Sequence, residues 1–384
     1  MLSHHIPHHV ADPHLALVVR RQRHELYIAH SISRFALSLV SIFVPIYLLT
    51  LGYGVSGVIK FFAAVTISIV PLSFLVGALS RKLGIKHIMF IWLPSAIGFL
   101  LALDFLDGSP HLFYPAAILG AINSTFYWLP LHSLFARSSD DKHGGEEVAK
   151  LHTFSQIATI AAPLIGGFMI SSFGFKPLFI MTIVMLFVSI MPIFATPEIK
   201  PHVDLEFRHG LKIFRKYPKI MLGSCVLGAN EAVEDVIWPV FVYLLLQDIS
   251  SVGVIGSLLG VGYAVFALIT GKLSDASGKK YFVRVGAAMV AAVWFFRALT
   301  GSETEIYASS ILMGASAILL YVPFAAEVYR SARESKSIDE FIIFREVPIA
   351  LGRIFVLVLA LVFAENLQAV FAATGLTNVF FWVF

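Results

Sequence analysis

The chain has 384 residues, of which 58% are hydrophobic and 14% charged, with a formal net charge of +4. A soluble protein carries about 25% charged residues, so this composition excludes a chain that covers itself in water and points to an integral membrane protein. The single cysteine, Cys225, excludes an intrachain disulfide and a thiolate metal cluster.

Residues 1–26 hold H-H-I-P-H-H-V-A-D-P-H and three arginines but no apolar core, so they read as a solvated cytoplasmic tail rather than a cleavable signal peptide. A membrane span needs roughly 20 mostly apolar residues. Twelve such runs come after the tail, near 27–50, 55–79, 85–104, 111–136, 148–172, 176–196, 219–247, 251–273, 281–300, 304–328, 339–364 and 367–384. The loops at 51–54, 105–110, 173–175, 248–250, 301–303 and 365–366 contain no Lys or Arg, whereas the alternate loops are basic. By the positive-inside rule both termini are expected in the cytoplasm of a plasma-membrane protein. The basic residues lie in loops between apolar runs, which argues against nucleic-acid binding.

The long polar stretch 197–218 falls at mid-chain and separates an N-terminal six-helix bundle (27–196) from a C-terminal one (219–384). Within it, Leu205, Leu211, Ile213 and Phe214 alternate with basic residues. The pattern fits either a short amphipathic helix on the membrane surface or a solvated linker.

The two halves repeat each other. G-A-L-S-R-K-L-G-I-K at 77–86 and G-K-L-S-D-A-S-G-K-K at 271–280 share G-x-L-S-x-x-x-G-x-K at an offset of 194. Pro45 and Pro239 match at 194, and Pro130 and Pro323 at 193, each of the latter pair with an aromatic residue two before it and an Arg seven after. Gly77 and Gly271 allow close helix approach; Gly84 and Gly278 permit the positive φ of a tight turn. Three segments with one offset indicate duplicated halves.

Six plus six spans, a central polar linker and this doubled motif resemble the major facilitator superfamily over the whole chain. The resemblance implies an all-α membrane fold of two pseudo-symmetric six-helix bundles, a substrate bound between them, and alternating access. It also implies a gate role for the motif's acid. That acid is Asp275 in the second copy, but Arg81 stands there in the first, so a charge-locked gate is expected to depend more on the C-terminal half. The fifth span's A-T-I-A-A-P-L-I-G-G is similar to the family's antiporter motif, with Ala158 and Ala162 in place of glycines. Pro163, Gly166 and Gly167 give a bendable, closely packed helix.

Ionisable groups inside spans are costly and mark function or pairing. Lys60, Asp104, Arg297 and Glu327 fall near span ends, where anchoring or inter-helix pairing is expected. Glu231, Glu234 and Asp235 fall deep in the seventh span at i, i+3 and i+4, which puts them on one helical face. Glu231 is about 18 Å along the helix from Lys219. Three adjacent carboxylates cannot all stay ionised in a low dielectric, so proton coupling is one reading and pairing with intramembrane Arg the other. Arg353 and Glu346 share a face of the eleventh span; Arg353 and Arg34 are candidates for counter-charge or for an anionic substrate group. Asn123, Tyr127, Trp128 and His132 on the fourth span and Tyr321 on the tenth are cavity candidates for an amphipathic small molecule. There is no G-x-x-x-x-G-K-[ST], so ATP is not expected as the energy source. No cofactor or bound metal is expected.

The expectation is therefore a monomeric, non-enzymatic secondary transporter for a small molecule, coupled to protons, with a lean to export by antiport. A passive facilitator and a non-transporting membrane protein of the same fold are the alternatives.

Overall fold

The computed structural model describes residues 31–138, 160–190, 207–277 and 279–384. Among these residues the chain is helical throughout, and the expected spans form as helices. The first span is Ser31–Thr50, interrupted by a 3-10 turn at Ser41–Phe43. Gly54–Leu83, Ile85–Asp104 and Phe113–Ser138 are the second to fourth; 160–173 and Phe175–Ile190 are the described parts of the fifth and sixth. A ten-residue linker helix, Phe207–Lys216, precedes the seventh span, which runs from Pro218 to Leu246. The eighth to eleventh are Ile249–Ser277, Lys279–Arg297, Glu303–Glu334 and Ile338–Val362, and the twelfth is Leu367–Thr377 with a 3-10 extension to Val383. Residues 1–26, 148–159, 191–206 and Gly278 carried sequence expectations that lie outside the described residues.

The second and tenth helices run past their apolar stretches, to Leu83 and Glu334, because Arg81, Lys82, Arg330 and Arg333 extend the helix beyond the hydrocarbon. Gly84 turns the chain there at φ +97°, the conformation that a residue with a Cβ avoids. At the opposite end, Ser302 caps the tenth helix: its hydroxyl accepts from Glu305 N–H while the Glu305 carboxylate accepts from Ser302 N–H. Five of the described helices are long and apolar enough to cross a membrane by length and composition alone. Large apolar side chains such as Ile67, Val265 and Phe168 point outward, as lipid-facing residues do.

Each bundle is knit by small residues. Gly352 sits so close to the seventh span that a Cβ there would lie 1.8 Å from Cys225 O, and one on Gly228 would lie 2.1 Å from Ile349 O. Gly262 and Gly314 join the eighth and tenth spans in the same way. Among the described residues, two of the seams between the halves are tightly packed. The second span meets the eleventh, with Phe74 and Phe344 edge to face at 5.3 Å. The fifth meets the eighth, where a Cβ on Gly253 would lie 2.5 Å from Pro163 O and 3.4 Å from Gly167 Cα.

Candidate functional site

The seventh span is not a uniform α-helix. Its acids fall at a π-helical turn, Val233–Ile237, inserted between Ala232 and Trp238. A π turn adds a residue and rotates the rest of the helix beyond it, and such turns occur often at functional sites. The three carboxylates there have different partners. Glu231 accepts from Arg353 of the eleventh span at 2.6 Å. Glu234 accepts from Nη1 and Nη2 of Arg297 of the ninth span, at 2.5 and 3.3 Å. Asp235 has neither an ion pair nor a hydrogen bond among the described residues, and it carries open surface. Glu231, Glu234 and Arg353 of its own half and Arg34 of the other half all act on it electrostatically.

Arg297 is completely buried. Its guanidinium lies 4.0 Å from the Trp238 ring centroid and 5.0 Å from that of Trp294, and its Nε donates to Ser309 Oγ. Every face of the cation is therefore compensated. Pairing between helices was expected for Arg297, and pairing with an intramembrane Arg was one reading of the seventh-span acids; the two meet here.

On the N-terminal side the guanidinium of Arg34 lies 5.2 Å over Trp128. Trp128 stacks on His132, whose Nδ1 lies 2.7 Å from the Tyr329 hydroxyl of the tenth span. This His–Tyr contact bridges the two halves. Arg333 Nη1 adds a second bridge, to Ala136 O at 3.2 Å. Tyr321 is half-buried and senses the charges of Arg345, Glu231 and Arg34. Glu346 is half-buried near Arg353 and Arg345.

Two of the fourth-span cavity candidates pack on the third span. Tyr127 is 2% exposed, because its ring packs on Trp92 inside the N-terminal bundle. Asn123 is partly buried, and its Oδ1 accepts from Trp92 Nε1 at 2.7 Å, so it ties the fourth span to the third. Gly77 lies buried in a small crevice between the halves, with Ser80, Ser133 and the buried Asp339 of the eleventh span. Arg81 is exposed and has partners. Gly271 and Asp275 lie on the eighth helix, with side chains outside the described set. Gly166 packs on the first span, where a Cβ would lie 2.3 Å from Leu39 O, while Pro163 and Gly167 pack on the eighth.

Sequence reading missed the polar knot behind the acids. Asn230 Oδ1 accepts from Trp294 Nε1 at 2.6 Å, and Asn230 and Asn378 exchange amide hydrogen bonds at 3.1 Å. This fixes the seventh span against the ninth and twelfth one residue before Glu231. The adjacency of Asn230 and Glu231 in an apolar run was the available signal.

The sequence pattern of the Major Facilitator Superfamily matches residues 26–230. Among curated proteins, the multidrug resistance protein MdtG of Yersinia enterocolitica is 22% identical over 300 residues, covering 73% of this chain and 72% of its own. MdtG of Enterobacter lignolyticus is 24% identical over 63% of this chain and 62% of its own. Among solved structures, the human organic anion transporter MFSD10 (TETRAN) superposes with a TM-score of 0.72 at 13% identity, over 95% of this chain and 98% of its own. The E. coli fucose:proton symporter gives 0.69 at 13% identity, over 95% and 97%. With a match across more than half its length and twelve spans in two bundles, the chain belongs to the Major Facilitator Superfamily: it is a multi-pass membrane transporter and not an enzyme.

Proposed function

We propose that the chain exchanges a small molecule for protons by alternating access, with Asp235 as the group that carries the proton. The observation behind this reading is that Asp235 is the one acid of the three without a guanidinium partner, and that it has open surface. Glu231 and Glu234 are held by Arg353 and Arg297, so their charge is committed to fixing helices.

Asp235 feels the carboxylates Glu231 and Glu234 and the guanidiniums Arg353 and Arg34, a charge balance that its own ionisation shifts. A proton on Asp235 or a positively charged group beside it tips that balance in the same direction. Proton and substrate cation therefore compete for one site, and a site that must be emptied of one to accept the other gives antiport. The similarity to multidrug resistance proteins and the Pro163–Gly166–Gly167 packing support export over uptake. In this reading the basic end faces the cytoplasm, and the chain works as a monomer in the plasma membrane.

The test is transport in proteoliposomes under an imposed pH gradient, with ethidium and a panel of organic cations and anions as probes. Gradient-driven accumulation that Asp235→Asn abolishes supports the reading. Equal accumulation by both proteins contradicts it.

A further inference from the structure

The linker helix Phe207–Lys216 is a basic strip held at the point where a membrane span emerges. It contains Arg208, Lys212, Arg215 and Lys216 and no acid, and all four cations are exposed. One residue, Tyr217, joins it to the seventh span, which starts at Pro218 and carries the exposed Lys219 in its first turn. That short connection holds the cations at the basic end of the seventh span. Lys216 lies 4.9 Å over the Tyr217 ring, an aromatic–cation pair of the kind that settles at a membrane interface. Leu211, 45% exposed, lies one residue before Lys212 and four before Arg215, so apolar and cationic side chains share the open face.

The opposite face is docked on the protein. Gly210 is buried, and a Cβ there would lie 2.2 Å from the Phe344 ring of the eleventh span. His209 Nδ1 lies 3.7 Å from Glu340 Oε2. Phe344 in turn contacts Phe74 of the second span, across the seam between the halves. A continuous stack thus runs from the linker helix through the eleventh span to the other bundle.

We propose that this helix binds anionic phospholipid headgroups and that their binding favours the arrangement in which the second and eleventh spans are packed together. The chemistry fits a lipid surface: several exposed cations beside an exposed leucine, at the basic end of a span, suit a sheet of phosphates over acyl chains. Each cation so placed adds an attraction that salt screens. Because Gly210 allows only contact distance to Phe344, holding the helix down holds Phe344 against Phe74. The inference is independent of the substrate and of proton coupling.

The experiment uses the full chain in nanodiscs of phosphatidylcholine with and without phosphatidylglycerol. Two readouts are taken: the melting temperature, and the distance between spin labels placed at Leu83 and Lys336 in a Cys225→Ser background. Phosphatidylglycerol is expected to raise the melting temperature by roughly 2–4 °C and to sharpen the short-distance population. The combined variant Arg208→Gln, Lys212→Gln, Arg215→Gln, Lys216→Gln should lose both effects. It should still melt like the parent in phosphatidylcholine, since every changed side chain is exposed. Gly210→Leu, which lifts the helix off Phe344, should keep lipid retention in native mass spectrometry but lose the distance effect. The proposal is overturned by equal behaviour in the two lipids, by a lipid effect that survives the fourfold variant, or by the same effects from inorganic phosphate or an acidic peptide in neutral nanodiscs.

Discussion

Arg297 donates to Glu234 at 2.5 Å while its guanidinium is enclosed by Trp238 and Trp294, with none of its surface exposed. One ion pair therefore ties the π turn of the seventh span to the end of the ninth. Removing one partner of such a pair leaves a buried charge without compensation, whereas removing both leaves none. Arg297→Met should cost about 3 kcal/mol, and Glu234→Gln combined with Arg297→Met should recover most of it. Thermal melting of the purified variants reads both; equal losses in the single and double variants would show that the pair contributes nothing specific.

The Glu231–Arg353 pair is looser, with side chains 32% and 25% exposed. That exposure lets solvent screen it, so a double-mutant cycle between Glu231→Gln and Arg353→Met should give a smaller coupling of about 1 kcal/mol. A coupling as large as that of the Arg297 pair would mean that solvent does not reach it.

Gly352 is a contact that cannot yield, because the atom a side chain would meet is the backbone carbonyl of Cys225, 1.8 Å away. Gly352→Ala should separate the seventh and eleventh spans and cost about 3 kcal/mol. Expression with a clear drop in melting temperature is the expected result. A parent-like melt would show that the two helices can slide apart freely.

His132 and Tyr329 bridge the halves at 2.7 Å. Tyr329→Phe keeps the ring and removes the hydroxyl, a loss of about 1 kcal/mol for one hydrogen bond. The halves should then separate more readily at the basic end. A cysteine at Ser133, which lines the crevice there, should react with maleimide about fivefold faster in that variant. An unchanged rate would show that the contact does not hold the gate.

Much of this architecture was legible in the residues. The span limits follow from apolar length, and the duplicated halves from three matching offsets, because both are set by the bilayer and by local turns. Arg353 as counter-charge was one of the two roles expected of it, and it meets Glu231. The π turn was not legible, because periodicity arguments assume an even helix; it lies between the Asn230–Trp294–Asn378 knot and the Arg297–Trp238 stack. The burial of Tyr127 was not legible for a related reason. A tyrosine reads the same whether it faces a cavity or packs on a tryptophan, and only the third span's Trp92 decides it.

Asp235 is the centre of the account, and its neutralisation is the most direct test. The measurement is a paired one in proteoliposomes, with a transported probe followed first under an imposed pH gradient and then in substrate counterflow without one. Asp235→Asn should fold and melt like the parent or higher, since it removes an unpaired charge beside Glu231. It should lose gradient-driven accumulation at least tenfold and keep counterflow. Accumulation by Asp235→Asn equal to the parent would contradict the account.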